Sequence, residues 1–350
     1  MMFRDRDAPV SKEGIIFRVY GYDHPPHSCI CDVEYASEEI YRSGERRAIR
    51  VGGGKIFYKF YFDGGLKFVK ENYPQYSVFY RPLKRTLVGL HEHQVSELRR
   101  PDIKLKKLFY SNLSDPLINS LRDVLDQIFM ISNLKLGDFG VFGSILHDFY
   151  DIRYSDLDFI VYGSKQLREL REVLSILYRG KKCFRNEFED NPPRIPHEFK
   201  FYDAEEYPWY QRRKLIYGVY KSRYLNREVK IEFEPVKKYS EIRNEYHDVE
   251  EIKPIDWIKA VVKIKDDSDS FFMPSVYGVE VEKIDKKFKK LDIRRVISFV
   301  EEFRGQVFKD EICDVSGRLE KVITKSEEFY QITLSYGPKY FDQVLKLHMD

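Results

Sequence analysis

Two aspartates separated by one residue lie at the start of an apolar stretch, in the segment 155–163 (SDLDFIVYG). Alternate side chains of a β-strand share a face, so Asp156 and Asp158 project to one side while Leu157 and Phe159 project to the other. Two carboxylates this close repel each other unless a cation lies between them. Mg²⁺ prefers hard oxygen ligands, taking one or two carboxylates and completing its octahedron with water and phosphate oxygens. The pair therefore predicts a site for Mg²⁺ or Mn²⁺.

A glycine and a serine precede this pair, at the end of another apolar stretch. Ten residues separate Ser144 from Ser155. Gly143 allows the backbone to approach a ligand closely, and free N–H groups where a helix begins can hold a phosphate. The Ser144 hydroxyl adds one more donor. We expect Gly143 and Ser144 to bind nucleotide phosphates.

The order and spacing of these two motifs resemble the signature of the nucleotidyltransferase superfamily of the DNA polymerase β type. In that signature a Gly-Ser turn is followed, about ten residues later, by Asp-x-Asp on the next strand. The segment is most similar to uncharacterised archaeal predicted nucleotidyltransferases, where this strand also ends in Val-Tyr-Gly, as at 161–163. The resemblance is specific over roughly 117–163 and looser up to about 236.

The resemblance implies an activity and its partners. An enzyme of this kind moves a nucleoside monophosphate from an NTP to an acceptor hydroxyl, with two divalent ions held by the Asp pair and a third acid. The Gly-Ser turn holds the triphosphate. The acceptor stays open among a tRNA end, another RNA, a protein side chain and a small molecule.

The strand 229–236 (VKIEFEPV) is the expected source of the third acid. Apolar and polar residues alternate along it, and its polar face consists of Lys230, Glu232 and Glu234. Glu232 is our first choice as the third metal ligand, and Glu234 is the alternative. Most members of the superfamily have Asp here, and an amphipathic strand with solvated acids is a further interpretation.

The densest basic cluster lies between Gln211 and Lys230, where seven Lys or Arg accompany one acid. Such a cluster can neutralise a triphosphate or a nucleic-acid backbone, and the interleaved tyrosines can stack on a base. Arg212, Arg213 and Lys214 are the candidate phosphate-binding residues. The alternative is a solvated helix and hairpin with the tyrosines in the core.

Two acids in the turn 145–154, Asp148 and Asp151, favour a rival function. They would repel an incoming triphosphate unless they point away from it. The rival is a protein that keeps this fold and binds RNA or a nucleotide without transferring it.

A second set of potential metal ligands lies in the segment 24–31 (HPPHSCIC). Structural zinc sites usually have two or more residues between paired cysteines, whereas one residue separates Cys29 from Cys31. We therefore interpret the segment as a Pro-Pro turn followed by a strand with buried cysteines.

The composition limits the class of protein. The chain has 350 residues with 60 Lys and Arg against 57 Asp and Glu, a net charge of +3 that excludes a histone-like or polybasic membrane-binding protein. A hydrophobic share of 43% with 26 Tyr and 26 Phe excludes a disordered chain. Four cysteines, a polar start and the lack of a long apolar run favour a cytoplasmic protein without a membrane partner.

The predicted fold class is α+β, with a central nucleotidyltransferase-type α/β domain and mixed sheet between two β-rich domains. The predicted domains are 1–110, 111–248 and 249–350, the last a small barrel or sandwich, with a linker around Pro101. In the central domain we predict a helix beginning at Asp115-Pro116, strands at 139–142, 157–162 and 229–236, and a helix at 166–178. The last domain is predicted to contain four strands and a helix over 293–303.

Overall fold

The computed structural model describes residues 2–180, 182–189, 199–337 and 339–349, and it has a mixed α+β fold. The described residues form two compact units. The first unit comprises those within Met1–Phe79, Thr86–Glu187 and Leu215–Arg243, and the second comprises those within Tyr80–Arg85, Phe188–Lys214 and Asn244–Asp350. The boundary that we predicted at 110 falls inside the first unit, and the one predicted at 248 lies close to Arg243.

The first sheet is antiparallel and contains eight strands: β1 (Ala8–Ser11), β2 (Ile15–Val19), β3 (Ser28–Ser37), β4 (Ile49–Gly52), β5 (Lys55–Lys59), β6 (Ser77–Tyr80), β7 (Arg85–His91) and β8 (Val95–Arg99). One face packs against helix α1 (Gly64–Asn72) through Phe60 and Val69. The opposite face, with Tyr35 and Phe57, packs against Phe149. The sheet is therefore apolar on both faces.

The second sheet contains β9 (Phe139–Val141), β10 (Leu157–Tyr162), β11 (Phe184–Asn186), β12 (Tyr217–Ser222) and β13 (Arg227–Val236) in the order β11-β12-β13-β10-β9. It is a mixed sheet, because β10 and β13 run parallel while the other pairs are antiparallel. Four helices accompany it: α2 (Pro101–Phe109), α3 (Pro116–Phe129), α4 (Gly143–Leu146) and α5 (Ser164–Gly180).

Helix α3 begins where the sequence predicts. The Asp115 carboxylate accepts hydrogen bonds from the backbone N–H groups of Leu117 at 2.8 Å and Ile118 at 3.0 Å, which is the geometry of an N-cap. Pro116 occupies the first helical position. The predicted bounds of β10 and the predicted helix at 166–178 are also confirmed.

The second unit contains helix α6 (Glu206–Lys214) and a third sheet of β14 (Val249–Asp269), β15 (Ser275–Ile284), β16 (Ile293–Ser298), β17 (Ile312–Thr324), β18 (Glu328–Leu334) and β19 (Val344–Leu347). The pairings β14-β15-β16-β18-β17 close into a ring because β14 also pairs with β17. Alternate residues of β14, such as Ile258, Ala260 and Val262, face the apolar core of this ring.

Two local predictions are wrong. Pro101 begins helix α2 instead of lying in a linker. The segment predicted as a helix over 293–303 forms β16 followed by a short 3-10 turn at Glu301–Phe303. Its β-branched residues pair with β15 and β18, and this tertiary pairing outweighs a local helical pattern.

No helix among the described residues combines the length and the apolar character needed to cross a bilayer.

Candidate active site

The pairing of β10 with β13 brings two of the predicted acids together. In the register of these parallel strands Asp158 lies directly beside Glu232, and Ile160 lies beside Glu234. Paired residues of neighbouring strands point to the same face of a sheet. Asp158 and Glu232 therefore share a face, although 74 positions separate them in the numbering.

The carboxyl of Asp158 lies in an electrostatically unfavourable environment. Burial, together with the negative charges of Asp156, Glu234 and Glu34, raises its pKa to about 7, while Lys59 acts in the opposite direction. Burial also raises the pKa of Asp156, which accepts a hydrogen bond from the backbone N–H of Lys230. A cation between the two aspartates would relieve their repulsion, as expected for a metal site.

Gly143 lies against the carboxylate of Asp158. Its φ of +60° is in the left-handed region that glycine adopts most readily. A Cβ atom at this position would overlap the Oδ2 atom of Asp158. The neighbouring backbone is fixed by a 3.0 Å hydrogen bond from the N–H of Phe142 to the carbonyl of Asp158. The two sequence motifs are therefore in contact.

Ser144 lies in the short helix α4 that follows. Its Oγ atom is 3.5 Å from Oγ of Ser155, and its carbonyl accepts a 2.8 Å hydrogen bond from the N–H of Phe149. The Oγ atom of Ser155 in turn accepts a hydrogen bond from the N–H of Asp151 at 2.9 Å. These bonds fix the turn 145–154 to the two serines that flank it, Ser144 and Ser155.

The two acids of this turn are each paired with a cation. The Nζ atom of Lys104 is 2.6 Å from both carboxylate oxygens of Asp148. The guanidinium of Arg153 hydrogen-bonds Asp151 and lowers the pKa of its carboxyl to about 2. Both charges are therefore locally compensated, which weakens the repulsion of a triphosphate that the sequence suggested.

The alternative third ligand, Glu234, has a different partner. Its Oε2 atom lies 2.9 Å from the NH2 atom of Arg6, and both side chains are almost completely buried. A buried carboxylate is stable only when it is paired in this way. Glu234 is thus engaged by a cation, while Glu232 is half-buried beside Asp158.

Lys59 is a site residue that the sequence reasoning missed. It pairs with Tyr35 in the first sheet, and the ring of Tyr35 packs against His147 and Phe149 with centroid distances of 5.2 and 5.3 Å. Lys59 lowers the pKa values of both Asp158 and Glu34, so its charge acts on the site. Within the described ranges, Lys59 forms no ion pair. The alternation of residues along β5 shows in the sequence that Lys59 lies on one face of a strand. The sequence does not show that this face packs against the turn after Gly143.

The three predicted phosphate-binding cations end helix α6, in the second unit. Lys214 is completely buried, and its Nζ atom donates a 2.7 Å hydrogen bond to the carbonyl of Glu302. Arg213 forms an ion pair with Glu311 and lies over the ring of Trp209 at 4.5 Å. These contacts give Lys214 and Arg213 structural roles in the second unit. Arg212 is exposed.

The carboxylates of the site are the type of ligand that Mg²⁺ or Mn²⁺ prefers, but they do not surround a single point. The two aspartates and Glu232 supply hard oxygen ligands, and Mg²⁺ needs only one or two of them when substrate phosphates complete the shell. Among the residues described, however, no three or more His, Cys, Asp or Glu side chains converge on one point as a metal cage. The Asp pair and Glu232 therefore do not form a metal cage by themselves in the described part of the chain.

The interpretation of the segment 24–31 as a turn followed by a strand with buried cysteines is confirmed for the cysteines. Cys29 and Cys31 are buried in β3 with their sulfur atoms 3.5 Å apart. The Nδ1 atom of His24 accepts a 3.2 Å hydrogen bond from the N–H of Ile30. Burial lowers the pKa of His24 to about 4, so its ring is neutral in the interior.

Comparisons with known proteins give one relevant finding. No protein-family model and no solved structure matches the chain. The chain is similar to an uncharacterised protein of Methanocaldococcus jannaschii, at 24% identity over 362 residues that cover 99% of each protein. This similarity covers nearly the full length of both proteins, but it assigns no function because the relative is uncharacterised.

Replacing Gly143 by alanine tests its contact with Asp158. Gly53 is a matched control, since its φ is +59° and no atom lies within 4 Å of the position that a Cβ would occupy. We expect Gly53→Ala to cost about 1 kcal/mol of unfolding free energy through backbone strain. Gly143→Ala should cost about 1–3 kcal/mol more, because it also displaces the carboxylate. Urea denaturation measures both, and equal losses would contradict the close approach.

The raised pKa of Asp158 predicts a pH dependence of stability. Its carboxyl stays protonated in the folded protein up to about pH 7. Above the unfolded value of 3.8 the unfolded chain ionises first, so this contribution to stability is present at low pH and is lost as pH rises to 7. Asp158→Asn removes the effect. The unfolding free energy of Asp158→Asn minus that of wild type should therefore increase by about 1–4 kcal/mol as the pH rises from about 4 to 8 in the presence of a chelator.

Asp151→Asn is the control for this measurement. The pKa of Asp151 is lowered to about 2, so its ionisation contributes stability that is lost only at more acidic pH. Its difference from wild type should be constant between about pH 5 and 8. The same constant difference for Asp158→Asn would contradict the raised pKa.

Proposed function

We propose that this protein is a metal-dependent nucleotidyltransferase, which moves a nucleoside monophosphate from an NTP to an acceptor hydroxyl. The proposal rests on one observation: the fold brings Gly143, Asp158 and Glu232 next to one another. Gly143 contacts the carboxylate of Asp158, and Asp158 lies beside Glu232. The proposal includes a nucleotidyltransferase-type core built on the mixed sheet β9–β13, an RNA acceptor and a cytoplasmic location.

The proposed reaction exchanges a phosphoanhydride bond of the NTP for a phosphoester bond to the acceptor. The acceptor oxygen attacks the α-phosphorus of the NTP, the bond to the pyrophosphate oxygen breaks, and the acceptor loses its proton. Asp156, Asp158 and Glu232 would hold divalent ions, Mg²⁺ or Mn²⁺. When bound, such ions lower the pKa of the attacking hydroxyl and neutralise the departing pyrophosphate.

The side chains around the Asp pair have separate tasks in this proposal. Gly143 leaves room for the carboxylate of Asp158, because a Cβ at this position would overlap its Oδ2 atom. The Ser144 hydroxyl donates to a phosphate oxygen. The ammonium of Lys59 attracts the polyphosphate toward the carboxylates, and Lys104 and Arg153 compensate the acids of the turn. Each contribution is electrostatic or steric, as phosphoryl-type transfer requires.

One observation favours the second candidate, a protein that binds RNA or a nucleotide without transfer. The three acids do not converge as a closed metal cage in the part of the chain that the structure describes. A nucleotide and its ions must complete the geometry for the first candidate to hold.

A transfer assay separates the two candidates. Wild type, Asp158→Asn and Glu232→Gln are incubated with each labelled NTP, Mg²⁺ or Mn²⁺, and a mixed RNA pool. We expect label transfer by wild type and a loss of at least about 100-fold in both variants, since even indirect partners of a metal cost 10–100-fold. Asp151→Asn, a paired acid of the turn, should retain activity. RNA retention without transfer, unchanged by mutation or metal, would support the binding protein instead.

Lys59→Gln tests the contribution of the first sheet to nucleotide binding. A hydrogen bond to a charged group contributes about 1.5–3 kcal/mol, so KM for the NTP should rise about 10- to 100-fold with a smaller change in kcat. Lys59→Arg should restore most of the affinity. Lys70→Gln is the control, because α1 packs on the opposite face of the same sheet. A normal KM for Lys59→Gln would exclude the proposed contact.

A further inference from the structure

One exposed sheet face of the second unit carries lysines and aromatic rings side by side. Trp257, Lys259 and Val261 alternate with the buried residues of β14 and therefore point outward. Strand pairing places Val261 beside Lys283 on β15. A groove of about 510 Å³ crosses this surface. We call it the lysine–aromatic face, and it consists of Phe201, Trp257, Lys259, Lys283, Lys339 and Lys346.

Each aromatic ring of this face has an ammonium group close to it. Phe201 is 44% exposed, and the Nζ atom of Lys259 lies 5.4 Å from its ring centroid. The Nζ atom of Lys339 lies 4.9 Å from the ring of Trp257. The indole N–H of Trp257 donates a 3.0 Å hydrogen bond to the hydroxyl of Ser316, which fixes the ring. A flat ring beside a cation can stack on a base while the cation binds the adjoining phosphate.

The groove lining contains three lysines and two aspartates, and one of these lysines, Lys346, forms an ion pair with Glu206 at 3.2 Å. Lys259, Lys283 and Lys339 form no ion pair with any residue in the described ranges. The two acids in the groove lining have other partners: Asp314 contacts His348 at 2.9 Å, and Asp285 accepts a hydrogen bond from a backbone N–H at 3.0 Å. Directly after Asp285 the chain continues with the exposed lysines Lys286, Lys287, Lys289 and Lys290. This face complements a polyanion.

We propose that the lysine–aromatic face binds single-stranded RNA, with unpaired bases on Phe201 and Trp257 and phosphates at Lys259 and Lys283. Bases within a duplex are already stacked and do not reach such rings. We expect RNA to bind better than DNA, because the carboxylate of Asp285 in the groove lining can accept a hydrogen bond from a 2′-hydroxyl, which DNA lacks. This binding requires neither nucleotide nor metal, so it goes beyond the transfer reaction.

The test measures binding of a short labelled single-stranded RNA to the full chain by fluorescence anisotropy, with a chelator and without nucleotide. Phe201→Ala and Trp257→Ala should each weaken binding about 5- to 150-fold, the loss of one stacked base. The double variant Lys259→Gln/Lys283→Gln should flatten the dependence of log K on log salt by about 1.4, or 0.7 for each lost phosphate contact. These two lysines are exposed, so this variant remains informative if Trp257→Ala fails to fold.

The double variant Lys309→Gln/Lys325→Gln is the matched control. It removes the same charge from exposed positions of the second unit outside the lysine–aromatic face, and neither lysine forms an ion pair with a described residue. It should bind RNA as wild type does, and single-stranded DNA of the same sequence should bind wild type more weakly. The proposal is overturned if wild type does not bind the RNA, if DNA binds equally well, or if both double variants lose the same affinity.

Discussion

The parallel pairing of β10 with β13 is the constraint on which the candidate site depends. It determines that Asp158 and Glu232 are neighbours on one face of the second sheet. A shift of β13 by one residue relative to β10 would turn Glu232 to the opposite face, away from Asp158. The rings of Phe159 and Phe233 stack at a centroid distance of 5.1 Å and are completely buried, so the apolar side of the sheet holds the acidic side in place.

Charges of both signs act on the carboxyl of Asp158. Burial and the negative charges of Asp156, Glu234 and Glu34 raise its pKa, which is unfavourable for the ionised form unless a cation is near. Lys59 reaches the same place from the first sheet, where the packing of Tyr35 on His147 sets its position. A metal–nucleotide complex carries both charges, whereas a free metal ion or a free phosphate carries one. This combination of charges is the reason for proposing an NTP as the ligand.

Local patterns in the sequence predicted the elements that are determined locally. Asp115-Pro116 specified a helix start, an apolar run specified the strand that carries Asp158, and alternation specified the strand that carries Glu232. Other features depend on distant packing and were not predictable. In the sequence, Lys59 is one polar residue of an ordinary alternating strand. It becomes part of the site only because its sheet packs on the turn after Gly143. The β-branched residues after Ile293 become a strand only because two neighbouring strands pair with them.

Anomalous diffraction from crystals soaked with Mn²⁺ and a non-hydrolysable NTP tests the central claim most directly. The account predicts Mn²⁺ peaks at about 2.0–2.6 Å from carboxylate oxygens of Asp156 and Asp158, with the triphosphate next to Gly143. Mn²⁺ and nucleotide bound elsewhere on the protein, with the space between the two aspartates empty, would contradict it.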